Sequence, residues 1–241
     1  MLKDELRKAE RVVFLGGAGV STESGIPDFR SKSGIYRTTE LPCEQILHHD
    51  FLMRHPAEFY DFYKKNMIYK NARPNAAHKA LAQLEDMGLL TAVVTQNIDG
   101  LHGAAGSRSV IELHGSIHRN HCIRCGAPYP LEAVLQAEGV PVCACGGMIR
   151  PDVVLYGEAL REEDIDSAVR SIEHCDLLIV GGTSLTVHPA AGLIHYARGR
   201  VVLINRDATP YDDRCDLVIH ASIGETLTEA IDTCNKRSDI R

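Results

Sequence analysis

The chain of 241 residues has neither an excess of basic residues nor a long apolar stretch, and both absences limit its function. Its formal net charge is −6, whereas proteins that bind nucleic acid or anionic membranes generally carry basic surfaces that neutralise phosphates. No segment approaches the roughly 20 consecutive apolar residues of a membrane span, and residues 1–7 are too charged for a signal peptide. We therefore expect a cytoplasmic protein that binds neither nucleic acid nor membranes.

Eight cysteines are present, and their distribution favours a metal site over disulfides. Cys122 and Cys125 form one close pair and Cys143 and Cys145 another, whereas the remaining cysteines are scattered singly, as reduced thiols usually are. Four such thiolates predict one structural zinc ion per chain, since a closed thiolate site leaves no coordination position for catalysis. The spacing within the second pair, with a single residue between the two cysteines, is unusually short. The alternative is therefore that one of these two cysteines is a bystander and that His121 or another group completes the site.

Short apolar runs alternate with amphipathic segments along most of the chain. Continuous apolar runs of this length are typical of parallel strands that are buried on both faces. The predicted strands are 12–15, 90–95, 110–113, 177–180, 201–204 and 217–219. The predicted helices are 2–10, 44–70, 75–87, 161–173, 189–198 and 224–234. This alternation predicts an α/β fold with a doubly wound parallel sheet of the Rossmann type.

One region interrupts the alternation. Residues 118–149 contain only the two cysteine pairs around a weak helix at 131–138, which indicates a small inserted module. Residues 31–42 are polar and poor in helix formers, so we expect a mobile loop there. The predicted Rossmann-type domain comprises 1–36, 72–117 and 150–241. The predicted small domain comprises a helical part, 37–71, and a zinc-binding ribbon, 118–149.

The most informative segment is the loop 17–30, which follows the first predicted strand. Gly17 and Gly19 permit a tight turn and a close approach of the backbone to a ligand, where N–H groups and small hydroxyls bind phosphate. The third glycine of the usual dinucleotide fingerprint is missing, so the glycines alone are a weak signal. The continuation Pro-Asp-Phe-Arg at 27–30 adds two opposite charges and an aromatic ring. Phosphate, ribose and a flat ring could all find partners within this loop.

Three further segments complete a recognisable pattern. They are Thr-Gln-Asn-Ile-Asp-Gly-Leu-His at 95–102, Leu-His-Gly at 113–115 and Gly-Thr-Ser-Leu at 182–185. Together with the glycine loop, these motifs stand in the order found in sirtuins, the NAD-dependent protein-lysine deacylases. The chain resembles that family, in its bacterial or archaeal type, from about residue 12 to about residue 224, which is nearly its full length. The resemblance implies that NAD is a co-substrate.

The resemblance also implies a role for each motif residue. His114 is the implied catalytic base that deprotonates a ribose hydroxyl of NAD, and Asn97 is a second catalytic residue that orders the ribose and a water. Without context, a histidine followed by glycine is more often a packing residue. His114, however, follows the predicted strand 110–113, where open α/β sheets bind ligands, and the intrinsic pKa of histidine, near 6.5, suits a general base. An NAD-dependent dehydrogenase would carry an acidic NAD-binding residue about 20 positions after the glycines. This residue is absent here, and its absence is consistent with the sirtuin pattern. The implied NAD-binding residues are Gly17, Ala18, Gly19, Ser21, Thr22, Asp28, Phe29, Arg30, Gln96, Asn97, Ile98, Asp99, Gly182, Thr183, Ser184, Asn205 and Ile223.

Residues 153–158 resemble the segment on which sirtuins bind an acyl-lysine peptide by β-augmentation. From the residues alone, this segment is a buried strand that ends in a turn. The implied substrate-binding residues are Val154, Tyr156, Gly157 and Glu158. The expected function is deacetylation of lysine in an acetylated protein or peptide, with transfer of the acetyl group to ADP-ribose and release of nicotinamide. The alternatives are removal of longer or acidic acyl groups, ADP-ribosyl transfer and, less favoured, a non-enzymatic NAD-binding scaffold.

The acyl preference can be predicted from the segment 58–64. Sirtuins that remove acidic acyl groups carry a Tyr-x-x-Arg pair, in which the arginine binds the distal carboxylate. In this chain the arginine position falls on Tyr63, and a shift of one residue would bring Lys64 there instead. We therefore expect acetyl and short apolar acyl groups to be preferred over succinyl and malonyl groups.

Overall fold

The structure is a computed structural model in which residues 1–29, 34–35 and 42–235 are described. Within these ranges the strands are β1 (Val12–Gly16), β2 (Leu90–Thr95), β3 (Val110–Glu112), β4 (Gly115–Cys122), β5 (Pro128–Tyr129), β6 (Ile149–Val153), β7 (Leu177–Gly181), β8 (Arg200–Ile204) and β9 (Leu217–Ile219). Six of them form a parallel sheet in the order β3-β2-β1-β7-β8-β9. The order reverses direction at β1, which is typical of a doubly wound sheet, and ligands bind at such a switch point.

The described helices are α1 (Leu2–Leu6), α2 (Cys43–Ile46), α3 (His49–Arg54), α4 (Pro56–Asn66), α5 (Ala76–Asp86), α6 (Leu101–Ala104), α7 (Leu131–Gln136), α8 (Glu162–Glu173) and α9 (Ile223–Asn235). Short 3₁₀ helices cover Ala18–Val20, Thr22–Ser24, Ala190–Tyr196 and Asp212–Arg214. The predicted helical stretch 44–70 consists of three helices, α2 to α4, and the predicted helix 189–198 is a 3₁₀ helix. The predicted loop 31–42 lies almost wholly outside the described residues. None of the described helices is long and apolar enough to cross a membrane.

Both faces of the large sheet are covered, which explains the continuous apolar runs. Val12 and Phe14 of β1 belong to a core that also contains residues of α1, α5 and α9. The alternate residues Val13 and Leu15 belong to a second core with α8 and the 3₁₀ helix Ala190–Tyr196. All four side chains have zero exposed area. The predicted α/β fold with a doubly wound parallel sheet is therefore confirmed.

Helix α5 begins and ends where its sequence predicts. Asn75 precedes it, and its side-chain oxygen accepts hydrogen bonds from the backbone N–H groups of Ala77 (2.9 Å) and His78 (3.4 Å). Gly88 follows it with a φ of +74°, a left-handed conformation that glycine adopts without strain. The helix packs on the sheet beside the loop that follows β1, because the Asn75 amide also donates to the carbonyl of Val20 (2.8 Å).

A small antiparallel sheet, in the order β5-β4-β6, forms the separate module. It shares a third hydrophobic core with helices α2, α3, α4 and α7. Lys64 of α4 fastens two parts of this module, since its Nζ donates to the carbonyls of Ala137 (2.7 Å) and Gly139 (2.8 Å). The sheet begins at Gly115 and ends at Val153, beyond the predicted ribbon limits of 118–149 on both sides. The division into two domains stays a prediction.

Candidate active site and metal centre

A cavity of about 910 Å³ lies where the carboxyl ends of β1, β2 and β7 meet the small module. Its wall includes Gly17, Ala18, Gly19, Ser21, Asp28, Phe29, Gln96, Asn97, Ile98, Asp99, His114, Val154, Tyr156, Gly157, Glu158, Gly182, Thr183, Ser184 and Asn205. These are most of the predicted NAD- and substrate-binding residues, although they come from distant parts of the chain. A single cavity of this size at the switch point of a parallel sheet suits a dinucleotide together with a second substrate.

Two described residues among those predicted to bind NAD are not part of this wall. The hydroxyl of Thr22 donates to the carbonyl of Gly19 (2.9 Å), so it caps the loop. Ile223 is buried in the core beside Gly181, and a Cβ on that glycine would lie 2.3 Å from its Cδ1. Arg30 lies outside the described residues. We infer that Thr22 and Ile223 support the loops that line the cavity and do not line it themselves.

The glycines let two loops pack directly on each other. The N–H of Gly19 donates to the carbonyl of Gly182 (2.8 Å), and a Cβ on Gly19 would lie 2.8 Å from that oxygen. A Cβ on Gly17 would lie 2.9 Å from the Cβ of Thr183. Contacts this short leave no room for a side chain. From the sequence, Gly17 and Gly19 are expected to let the backbone approach a ligand closely. The structure shows a second role, because they also let the loops after β1 and β7 contact each other directly.

Ser21 connects the glycine loop to the loop after β2. Its hydroxyl donates to the carboxylate of Asp99 (2.6 Å) and accepts from the amide of Asn97 (3.1 Å). The second carboxylate oxygen of Asp99 accepts from the N–H of Leu101 (2.8 Å). Ser21 and Asn97 are both buried. The predicted phosphate-binding and nicotinamide-binding motifs are therefore joined in one polar network.

His114 is held in a single tautomer. Its Nδ1 lies 2.9 Å from the carbonyl oxygen of Gln96, and because a carbonyl can only accept, Nδ1 carries the hydrogen. The other ring nitrogen, Nε2, is then the basic one. Burial lowers the pKa of His114 below its usual value, and the bond to Gln96 offsets this only in part. The imidazole is therefore neutral near pH 7 and can accept a proton at Nε2.

The predicted substrate segment 153–158 is fixed between the two units of the fold. The N–H of Val154 donates to the carbonyl of His114 (3.0 Å). Tyr156 exchanges two backbone bonds with the helical part: its N–H donates to Leu47 (2.9 Å) and its carbonyl accepts from His49 (2.9 Å). Strand β6 ends at Val153, so the segment is an extended loop that follows the small sheet.

Glu158 is bound internally in this structure. Its carboxylate accepts two bonds from Arg150 (2.7 and 3.1 Å), one from the N–H of Leu155 (2.8 Å) and one involving His49 Nδ1 (2.7 Å). Burial raises the pKa of Glu158, but these hydrogen bonds outweigh it and lower the pKa to about 2. Sequence reasoning missed Arg150 and His49, because neither belongs to a motif and only the fold brings them to Glu158.

Tyr63 lines the cavity. Its side chain has no exposed area, and its hydroxyl has no hydrogen-bond partner among the described residues. Burial raises the pKa of Tyr63, so the hydroxyl stays neutral. Lys64 is absent from the described cavity wall, since its amino group is bound to Ala137 and Gly139. Of the two residues considered for the predicted arginine position, Tyr63 lines the cavity and Lys64 does not belong to its described wall.

The four clustered cysteines form a possible metal site. Their sulfur atoms all lie within 4.8 Å of one another, and the Cys122–Cys145 and Cys125–Cys143 distances are 3.5 and 3.7 Å. Zinc bound tetrahedrally by thiolates at about 2.3 Å places the sulfur atoms about 3.8 Å apart, so the arrangement fits zinc. Among the described residues, His121 is not part of this cluster. The short Cys-x-Cys spacing therefore does not prevent four thiolates from converging.

Backbone and side-chain groups support these sulfur atoms. The N–H groups of Arg124 and Cys145 donate to Cys122 and Cys143, each at 3.4 Å. The hydroxyl of Tyr129 donates to the sulfur of Cys143 (3.1 Å). Such donors stabilise thiolates and orient metal ligands. No sequence motif identified Tyr129, which reaches the cluster because β5 pairs with β4.

Comparison with known proteins identifies the family. The family model described as "Sir2 family" matches residues 17–189. A protein named NAD-dependent protein deacetylase from Cutibacterium acnes is 56% identical over 227 residues, which cover 92% of this chain and 93% of the relative. A protein of the same name from Clostridium acetobutylicum is 53% identical over 236 residues, which cover 95% of this chain and 96% of the relative.

Solved structures agree with this assignment. A mutant of a Sir2 homologue in complex with ADP-ribose is 36% identical and has a TM-score of 0.92, with 100% of this chain and 98% of that chain covered. A Sir2 protein with a p53 peptide and NAD⁺ is 38% identical and has a TM-score of 0.87, with 97% of each chain covered. The predicted resemblance is confirmed over almost the whole length. The chain therefore belongs to the Sir2 family of NAD-dependent protein deacetylases.

Proposed function

We propose that the cavity binds NAD along the carboxyl edge of the large sheet and an acetylated lysine of a protein or peptide against residues 153–158. The observation that carries this proposal is the placement of His114, whose Nδ1 donates to the carbonyl of Gln96 (2.9 Å), in a cavity whose wall includes residues of all four motifs. NAD, when bound, supplies the ADP-ribose that accepts the acetyl group as nicotinamide is released. The p53-peptide complex of a related Sir2 protein supports a peptide substrate.

The proton transfer is assigned to His114. Its Nε2 accepts a proton from a ribose hydroxyl, while Nδ1–H stays bound to the carbonyl of Gln96 and stabilises the resulting imidazolium. No side chain acts as a nucleophile. The residues around His114 contribute mainly by positioning the two substrates and by excluding water.

The remaining motif residues bind and orient. The Asp99 carboxylate and the Ile98 backbone hold the nicotinamide carboxamide, and Asn97 orders the ribose and a water. Phe29 shields the reacting ribose carbon, and Ser184 and Thr183 contact phosphate or ribose. Gln96 donates from its amide to the Thr183 hydroxyl (3.2 Å), which supports a shared ribose site.

Residues 154–157 bind the peptide through its main chain. The carbonyl of Val154 and the N–H of Gly157 have no partner in the described part of the chain, so both remain able to pair with an added strand. Main-chain pairing implies low sequence selectivity. A cytoplasmic location is proposed as well, and the seven described cysteines, all free thiols, support it.

The test is to incubate the purified chain with NAD and matched acyl-lysine peptides and to measure nicotinamide release and the deacylated peptide. We expect both products in equal amounts with acetyl-lysine and neither without NAD. Nicotinamide release without peptide deacylation would favour ADP-ribosyl transfer. A lack of turnover with every peptide, despite NAD binding, would favour the scaffold alternative.

A further inference from the structure

Strand β4 holds the loop that follows β2. The N–H of Ile117 donates to the carbonyl of Ile98 (3.0 Å). One residue later, Nε2 of His118 lies 3.1 Å from the carbonyl oxygen of Asp99, and because a carbonyl can only accept, Nε2 carries the hydrogen. Both contacts follow the Leu-His-Gly motif, which ends at Gly115.

The second contact acts at the peptide that joins Asp99 to Gly100, the glycine of this loop. Gly100 has a φ of +72°, and glycine adopts either sign of φ with little cost, so the Asp99–Gly100 peptide could turn over easily. The ring of His118 packs against this glycine, since a Cβ on Gly100 would lie 2.7 Å from the His118 Cδ2. The hydrogen bond and the packing together fix the orientation of this peptide.

Three parts of the fold therefore hold Asp99. Ser21 of the glycine loop and the N–H at the start of α6 bind its carboxylate, at 2.6 and 2.8 Å. His118 of the small module binds its backbone carbonyl. Both Asp99 and His118 line the cavity. Loss of the third contact frees the backbone that carries the carboxylate.

We propose that His118 is a positioning residue for NAD, because it keeps Ile98 and Asp99 in the geometry that binds the nicotinamide carboxamide. This inference rests on the proposed role of those two residues. The contact acts on the cofactor side of the cavity and leaves the segment 154–158 untouched. Its loss therefore weakens NAD binding and leaves peptide binding unchanged.

The experiment compares His118→Ala, His118→Asn and His118→Gln. The amide nitrogen of glutamine extends about as far as Nε2 of histidine and can donate to the same carbonyl, whereas that of asparagine is too short. For Ala and Asn we expect KM for NAD to rise about three- to tenfold, which is the effect of losing one neutral hydrogen bond. The inhibition constant of nicotinamide should rise by a similar factor. His118→Gln should restore both values, and KM for the acetylated peptide should stay constant.

The matched control is Arg119→Ala, on the same strand. Among the described residues, Arg119 binds Glu112 (2.7 Å) and Asp152 (3.1 Å) and makes no hydrogen bond to the loop 97–100, so this change weakens the strand without releasing Asp99. Thermal melting of all variants separates stability from positioning. An unchanged KM for NAD in the Ala and Asn variants, an equal rise in Arg119→Ala, or failure of Gln to restore binding would overturn the inference. A wild-type protein that does not turn over NAD would instead refute the proposed function.

Discussion

Lowering the pH from 7 to 5 should destabilise this protein by about 2 kcal/mol through one buried histidine, His102. Its side chain is 2% exposed, and neither ring nitrogen has a hydrogen-bond partner among the described residues. The ring packs on His78, with centroids 4.7 Å apart, and beside Phe14 at 6.1 Å. Burial, and then the neighbouring His78, lower the pKa of His102 from 6.5 to about 3.

The sign follows from the two pKa values. The unfolded chain takes up a proton at His102 below pH 6.5, whereas the native chain does so only near pH 3. Stability is therefore full above pH 6.5 and is lost progressively as the pH falls towards 3. At pH 5, the difference of about 1.5 pH units from the unfolded value corresponds to about 2 kcal/mol. For a chain of this length, this loss lowers Tm by about 4–8 °C.

The assay is thermal melting at pH 7 and pH 5 for the wild type, His102→Leu and a control, His195→Gln. The pKa of His78 is also lowered, chiefly by burial, and adds to the acid sensitivity of the wild type. The His102 contribution is the part of the Tm decrease that disappears in His102→Leu. The exposed His195 tests whether removal of any histidine has the same effect. A His102→Leu protein that loses as many degrees as the wild type would refute the reasoning.

Three further results are expected. Replacing His114 by Ala should reduce deacetylation by about 10²–10⁴-fold, since it removes the base, while NAD affinity measured by calorimetry changes little; more than half of the activity remaining would exclude this base. Elemental analysis should find close to one zinc per chain, with less in Cys143→Ser and a lower Tm after chelation; full zinc in that variant would show that this thiolate is not a ligand. Catalytic efficiency should be higher on acetyl-lysine than on succinyl-lysine in the same peptide, because the neutral Tyr63 cannot pair a buried carboxylate, a cost of several kcal/mol. Equal or higher efficiency on the succinyl form would contradict the assignment of Tyr63 to the acyl site.

The local sequence predicts those parts of the fold that local physics controls. The strands of the large sheet are recognisable in the sequence as continuous apolar runs, because both of their faces are buried. The ends of α5 are recognisable because Asn75 accepts hydrogen bonds from its first N–H groups and Gly88 adopts the left-handed conformation that ends it. The segment 189–198 is predicted from its sequence only as helical, and in the structure Ala190–Tyr196 is a 3₁₀ helix. Its apolar spacing resembles that of an α-helix, and packing against the sheet decides between the two.

The candidate site shows the same division. His114 and Asp99 are recognisable from their motifs, to which the family resemblance assigns proton transfer and nicotinamide binding. The groups that support motif residues carry no motif themselves: His118 donates to the carbonyl of Asp99, and Tyr129 donates to the sulfur of Cys143. They reach their partners through the position and pairing of β4 in the fold. The sequence of a single segment does not show how that segment pairs. The expectation that the chain binds neither nucleic acid nor membranes stays a prediction.

The bonds around Glu158 have a consequence for the entropy of peptide binding. Arg150, His49 and the N–H of Leu155 fix the segment 154–158 before any peptide arrives. A preformed edge loses little conformational freedom on association, which saves about 0.5–1.5 kcal/mol for each side chain that would otherwise be immobilised. Most of the ordering cost then falls on the incoming chain. If the segment 154–158 binds the peptide as proposed, unstructured tails and loops, which adopt an extended form without first unfolding, are the segments that it would bind most readily.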